Sequence, residues 1–175
     1  GLYQELVDPK ERHDLGEYYT PDWLAESIVQ DTMKDLPNAS VLDPACGSGT
    51  FIVATINFKR DRLKGKESPE KLLNHILNNV VGIDVHPLAM ITSKVNYLLA
   101  LGDLVRKYRR GRITIPVYMG DSIRLPKEVE TLEEKVVAYV VKGPKDKQFL
   151  IPKIVAENAE AHDEVIQTMK DYVRN

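Results

Sequence analysis

The stretch Val41–Val53, VLDPACGSGTFIV, decides the fold expected of the chain. A short apolar run, Val41 and Leu42, ends at Asp43. Small residues fill Ala45 to Gly49, and Thr50, Phe51, Ile52 and Val53 then open an apolar helical pattern. Strand, glycine loop and helix in that order let backbone approach a nucleotide-like ligand closely. Gly47 and Gly49 carry no Cβ, and the first turn of a helix leaves N–H groups without carbonyl partners. The spacing is not the dinucleotide pattern G-x-G-x-x-G, because Thr50, Phe51 and Ile52 follow Gly49, and no G-K-[ST] marks a Walker loop. A lone G-x-G is equally a tight turn in any α/β protein, so the flanking sequence must decide.

Two further apolar runs follow. Val80-Val81-Gly82-Ile83-Asp84 is short and β-branched, as buried parallel strands are, and ends in a carboxylate. Ile113 to Met119 is a third β-type run, followed by Gly120-Asp121-Ser122. With Asp43, the tips place Asp43, Asp84 and Asp121 along the carboxyl edge of one open parallel sheet, where α/β folds bind ligands. Asp84 can equally serve as a capping residue ahead of Pro87. The helices between are marked by their starts. Thr20 is expected to cap a helix with Pro21 at its first position, running to Leu36 and stopping at Pro37. A helix from Thr50 should end near Gly65, and Ser68-Pro69 should start another, in which His75 reads as a satisfied interior or interface histidine. Residues 86–108 read as one long amphipathic helix carrying Leu88, Ile91, Val95, Leu98 and Leu99. Its end is basic (Arg106, Lys107, Arg109, Arg110, Arg112), which suits either a helix C-terminus or a DNA backbone. Beyond Pro126 the pattern changes to a hairpin (Val136–Val141 and Phe149–Val155, with Pro152 at an edge or bulge) and a charged helix over 159–173. Residues 13–125 are therefore expected as the core, and residues 126–175 as an insertion or subdomain joint.

The strings GEYYTP, DPACGSGTF and GIDVHPLAMITSKVNYLLAL, in this order, resemble the adenine-N6 DNA methyltransferases of restriction-modification systems, whether type I modification subunits or type II enzymes. The resemblance covers roughly Gly16 to Ser122. It implies a Rossmann-like class I methyltransferase sheet and S-adenosylmethionine as cofactor. Tyr19, Thr20 and Pro21 would shape the site of its methionine carboxylate. Asp43, Ala45, Cys46, Gly47, Ser48 and Gly49 would cradle the methionine moiety, with Cys46 itself a small packing residue. Asp84, with Val85 beside it, would take the ribose, and Asp121 with Ser122 the adenine amino group. The resemblance also implies DNA as a partner, through regions outside this chain, and companion specificity or restriction subunits.

Composition sets bounds on this. The 175 residues, 43% hydrophobic and 29% charged, are enough for one core, and no apolar run approaches the roughly 18 residues of a membrane span, so a cytoplasmic protein is expected. A net charge of −2 gives no global basic field for nucleic acid. One cysteine and four scattered histidines offer neither a disulfide nor metal-ligand spacing. Cys46 lies in the glycine loop rather than in a Pro-Cys segment, which disfavours cytosine-C5 chemistry. The chain opens on Gly1, as a piece of a longer protein would. No asparagine is followed by two prolines, so the Asn-Pro-Pro-aromatic segment with which such enzymes hold the target amine is absent. The fragment is therefore expected to be inactive alone. Rival readings are an RNA or protein methyltransferase fragment, and a nucleotide-binding module without catalysis.

Overall fold

The computed structural model of the chain describes residues 20–123, 127–130, 137–142, 148–158, 161, 164–165 and 167–168. The chain divides into two compact units, residues 1–123 and 124–175. The first unit runs α1 (Asp22–Met33), β1 (Val41–Asp43), α2 (Thr50–Leu63), α3 (Pro69–Asn79), β2 (Val80–Asp84), α4 (Pro87–Leu101), α5 (Asp103–Tyr108) and β3 (Val117–Met119). Its three strands lie in the order β1-β2-β3, all parallel, with Val41 opposite Val80 and Gly82 opposite Val117. This is an α/β unit with a parallel sheet. The first two strands end on the expected carboxylates. β3 pairs only from Val117 and stops at Met119, so Asp121 sits past the strand rather than on its tip.

One face of the sheet, carrying Val80, Gly82 and Val117, packs beneath α2, α3 and α4 in a core that includes Ile52, Ile56, Leu73, Ile76, Tyr97 and Leu101. Gly82 makes room for this packing: a Cβ would lie 2.4 Å from Ile52 Cδ1 and 3.1 Å from Cys46 Sγ, so the Ile52 side chain would have to move. A second cluster joins Ala25, Val29 and Met33 of α1 to Ala54 and Phe58 of α2. α1 begins one residue later than its sequence suggests. Pro21 occupies the cap position with no side-chain cap bond, its carbonyl accepting from Leu24 N and Ala25 N, and the helix ends at Met33, short of Leu36. α3 starts as expected, with Ser68 Oγ accepting from Lys71 N at 3.3 Å and Pro69 in the first turn.

Residues 87–108 are not one helix. Gly102 (φ 51°, ψ −124°) separates α4 from α5. The apolar stripe also points away from the core: Ala89, Ser93, Tyr97 and Leu101 are buried, whereas Ile91, Val95, Leu98 and Leu99 are exposed. Two small residues and a tyrosine win the inner face for physical reasons. Ala89 and Ser93 let the helix come close to the sheet and loop. The Tyr97 hydroxyl, 3.0 Å from Ile76 O and 3.1 Å from Val80 O, satisfies the carbonyls where α3 turns into β2.

His75 is half-buried and faces a buried cation. Lys59 of α2 is fully buried, and its ammonium donates to Pro37 O (2.9 Å) and Ala39 O (2.6 Å) and lies 3.3 Å from His75 Nε2. Those contacts fill the three donors of the ammonium and fasten the segment entering β1 to α2 and α3. Burial lowers the Lys59 pKa. Burial first, and then the Lys59 charge, lowers that of His75.

In the second unit β4 (Lys127–Glu130), β5 (Val137–Lys142) and β6 (Gln148–Pro152) form an antiparallel sheet in that order, followed by the short α6 (Lys153–Ala156). β5 and β6 are the expected hairpin, but its second arm stops at Pro152, the last residue of the edge strand, and residues 153–155 are helical rather than extended. β4 was not legible, since KEVE is short and charged. The hairpin turn, residues 143–147, lies outside the described residues. So does most of the helix expected over 159–173, of which residues 161, 164, 165, 167 and 168 are helical.

Candidate functional site

The glycine loop is built from both ends. Leaving β1, Asp43 turns back on its own chain, its Oδ1 accepting from Ala45 N at 3.2 Å. Cys46 N then donates to Ile83 O (2.9 Å), which brings the loop across the end of β2. At Gly49 the backbone takes φ +90°, and Gly49 caps α2 with its carbonyl accepting from Val53 N. Only glycine fits there twice over. The dihedral is left-handed, and a Cβ would stand 2.6 Å from Ser93 Oγ.

Asp84 holds this loop in place. The residue is 9% exposed, and each carboxylate oxygen is engaged: Oδ2 accepts from Gly47 N and Oδ1 from His86 N, both at 2.8 Å. One side chain thus ties the glycine loop to the turn that starts α4. Its own carbonyl accepts from Gly120 N (2.9 Å), joining the turn after β3 to the same edge. The capping of α4 falls instead to His86, whose Nδ1 accepts from Ala89 N at 3.4 Å.

Two supports come from α4, and neither was singled out in the sequence. Asn96 Nδ2 donates to Ser48 O (2.9 Å), and buried Ser93 Oγ lies 3.7 Å from Cys46 Sγ. Their signal was faint: Ser93 falls in the i, i+4 series with Ala89, Tyr97 and Leu101, and Asn96 lies three residues on, but Thr92 and Lys94 are equally polar neighbours on the same helix. Cys46 is buried, and its thiol is pushed up to about 11, first by burial and then by the Asp43 and Asp84 charges, against its hydrogen bond with Ser93. It is a neutral packing group at pH 7, not a nucleophile. Asp43 is also raised, by burial above all and by the charge of Asp84, with the Ala45 N–H opposing.

The described candidates therefore gather at one edge: Asp43, Ala45, Cys46, Gly47, Ser48 and Gly49 after β1, Asp84 and exposed Val85 after β2, exposed Asp121 and half-buried Ser122 after β3. Asp121 Oδ1 accepts from Ile123 N at 3.1 Å. Thr20 and Pro21 precede α1, and Tyr19 lies outside the described residues. Beside Asp43 and Pro44 opens an apolar cavity of about 300 Å³ between α1, β1 and α2, lined by Val29, Met33, Val41 and Phe51 among others. Among the described residues no three His, Cys, Asp or Glu side chains cluster to hold a metal, and no helix is long and apolar enough to cross a membrane.

This loop and edge fall within residues 5–148, which match the family model described as N-6 DNA Methylase. The chain belongs to the N-6 DNA methylase family. Within and around the family, the chain is 31% identical over 114 residues to the type I restriction enzyme MjaVII methylase subunit of Methanocaldococcus jannaschii, covering 64% of this chain and 16% of that protein. It is 24% identical over 144 residues to the type I restriction enzyme EcoEI methylase subunit of Escherichia coli, covering 82% and 26%. The chain thus spans about a quarter or less of the length of these curated relatives. In fold it is similar to a nuclease-deletion mutant of the type ISP restriction-modification enzyme LlaGI, solved with a DNA substrate mimic (TM-score 0.52, 20% identity, 67% of this chain and 10% of that one). It is also similar to DrdV in a DNA complex (TM-score 0.51, 20% identity, 69% and 12%).

Proposed function

We propose that this member of the N-6 DNA methylase family is the S-adenosylmethionine-binding portion of an adenine-N6 DNA methyltransferase from a restriction-modification system. The observation that carries it is the charge of the loop. A phosphate-binding glycine loop offers unpaired N–H groups to an anion. Here the Gly47 N–H is already taken by Asp84, and Asp43 stands close enough for the two carboxylates to feel each other's charge. Such an edge repels a diphosphate and attracts a cation. S-adenosylmethionine brings two, its ammonium and its sulfonium.

In this reading Asp43 and the loop from Ala45 to Gly49, with Cys46 as its packed floor, hold the methionine moiety. Tyr19, Thr20 and Pro21 border its carboxylate near the start of α1. Asp84 uses its remaining lone pairs on the ribose, with Val85 alongside, and Asp121 with Ser122 accepts from the adenine amine. Residues 13–125 form the core of a Rossmann-like arrangement and residues 126–175 an insertion or joint. When bound, the cofactor supplies an electrophilic methyl group. This chain's residues orient it, and the Asn-Pro-Pro segment that would present the target amine is not among the 175 residues, so the chain binds without transferring. DNA recognition and companion subunits belong to the whole protein.

Calorimetric titration of the chain with S-adenosylmethionine and, separately, NAD tests this. Micromolar binding of the first alone is expected. NAD binding as tightly would refute the cationic-ligand argument.

A further inference from the structure

A surface far from the glycine loop carries a concentration of charge that the cofactor site does not use. Residues 103–112, DLVRKYRRGR, hold five cations against one carboxylate in a chain of net charge −2. Arg106, Lys107, Arg109, Arg110 and Arg112 are all exposed. The segment lies at the end of the sheet where strands begin. Arg60, in the last turn of α2, donates to Ala100 O just before the α4–α5 break, and Arg110 Nε pairs with Glu70 Oε1 (3.1 Å) at the start of α3. The chain from Gly111 then leads into β3.

Neither helix electrostatics nor ion pairing accounts for the cluster. α5 has six residues, and only Arg106 and Lys107 lie in its last turn, whereas Arg109 caps it and Arg110 and Arg112 lie beyond. Asp103 takes Arg106 (2.7 Å) and Lys107 (3.3 Å), and Glu70 takes Arg110. Among the described residues Arg109 and Arg112 are in no ion pair. Like charges this close cost stability in the free protein, which an extended polyanion would relieve.

We propose that this surface binds the phosphate backbone of duplex nucleic acid, without reading base sequence, at the end of the sheet opposite the glycine loop. Four of the five cations are arginine, whose planar fork matches phosphate oxygens, and exposed Tyr108 stands among them. A folded protein partner fits less well. Protein interfaces are anchored by buried apolar groups, and the apolar residues of α5 turn inward, Leu104 buried and Val105 packed against the core. The proposal is independent of the cofactor assignment.

The test is fluorescence anisotropy of the 175-residue chain with a labelled duplex of about 24 base pairs of arbitrary sequence, from 50 to 200 mM salt. The wild type and the double variant Arg109→Ala, Arg112→Ala are compared. Each phosphate contact contributes about 0.9 to the slope of log affinity on log salt. The double variant should therefore bind at least tenfold more weakly at 50 mM, with a slope shallower by about 1.8. Its melting temperature should be no lower than that of wild type, because two unpaired like charges are removed, and its S-adenosylmethionine titration should match, since both side chains are exposed and remote from the loop. Absence of duplex binding at 50 mM, or equal affinity and slope in the variant, would overturn the proposal. So would displacement of the duplex by polyglutamate at equal charge concentration, which would make the patch a general anion or protein contact.

Discussion

Asp84→Ala removes both acceptors that hold the glycine loop against the β2–α4 turn. A hydrogen bond to a charged group contributes about 1.5–3 kcal/mol net. The two bonds share one carboxylate, so they are not additive, and at 9% exposure water recovers little of the loss. A destabilisation of about 2–4 kcal/mol follows, or roughly 10 °C in melting temperature for a unit of this size. On the proposed reading, in which Asp84 also accepts from the ribose, cofactor affinity should fall by roughly tenfold to a hundredfold as well. Asp84→Asn separates acceptor from charge. Its one oxygen can keep a single N–H, and its amide then faces the other N–H donor to donor, so it should lie nearer alanine than wild type in stability. Denaturant unfolding gives the stability and titration calorimetry the affinity. An alanine variant that unfolds at the wild-type midpoint would refute the bracing role, whatever it did to binding.

Gly49→Ala meets a left-handed φ and a 2.6 Å contact with Ser93 Oγ, so a loss of about 2–4 kcal/mol is expected by denaturant melt. The double change Gly49→Ala, Ser93→Gly should recover only the steric share of that loss. Lys59→Met strips the donors from Pro37 O and Ala39 O, at about 1–3 kcal/mol, measured the same way. Acid should act on the same cluster. His75 titrates below 6.5 in the folded chain, so the unfolded chain binds its proton first. Stability is then full above about pH 6.5 and declines as pH falls from there to the lowered folded value. Lys59→Met removes one of the two causes of that lowering and should flatten the decline, seen as unfolding midpoints from pH 7.5 to 5.

The local sequence made much of this legible. Ser68-Pro69 could do little but start a helix, and a β-branched run ending in Asp84 could do little but form a buried strand. The Val41–Val53 stretch has glycines where backbone had to turn. Reading failed where a choice of neighbour mattered. Leu88, Ile91, Val95, Leu98 and Leu99 form the more apolar stripe of α4, yet Ala89, Ser93, Tyr97 and Leu101 face inward. Close approach and the need to satisfy two carbonyls outweighed apolar area there, and neither can be seen from periodicity. Nothing in the local sequence marks Lys59, whose burial follows from Pro37, Ala39 and His75 converging on its ammonium.

By itself the sequence determined the succession of strands and helices, the glycine loop and the family to which the chain belongs, because these depend on backbone preferences and short-range spacing. Only the tertiary structure decided what the carboxylates and polar side chains do. Asp84 became the brace between the glycine loop and the β2–α4 turn, and Asn96 and Ser93 became supports of the loop. Those roles depend on atoms brought together from positions tens of residues apart, where local spacing carries no information.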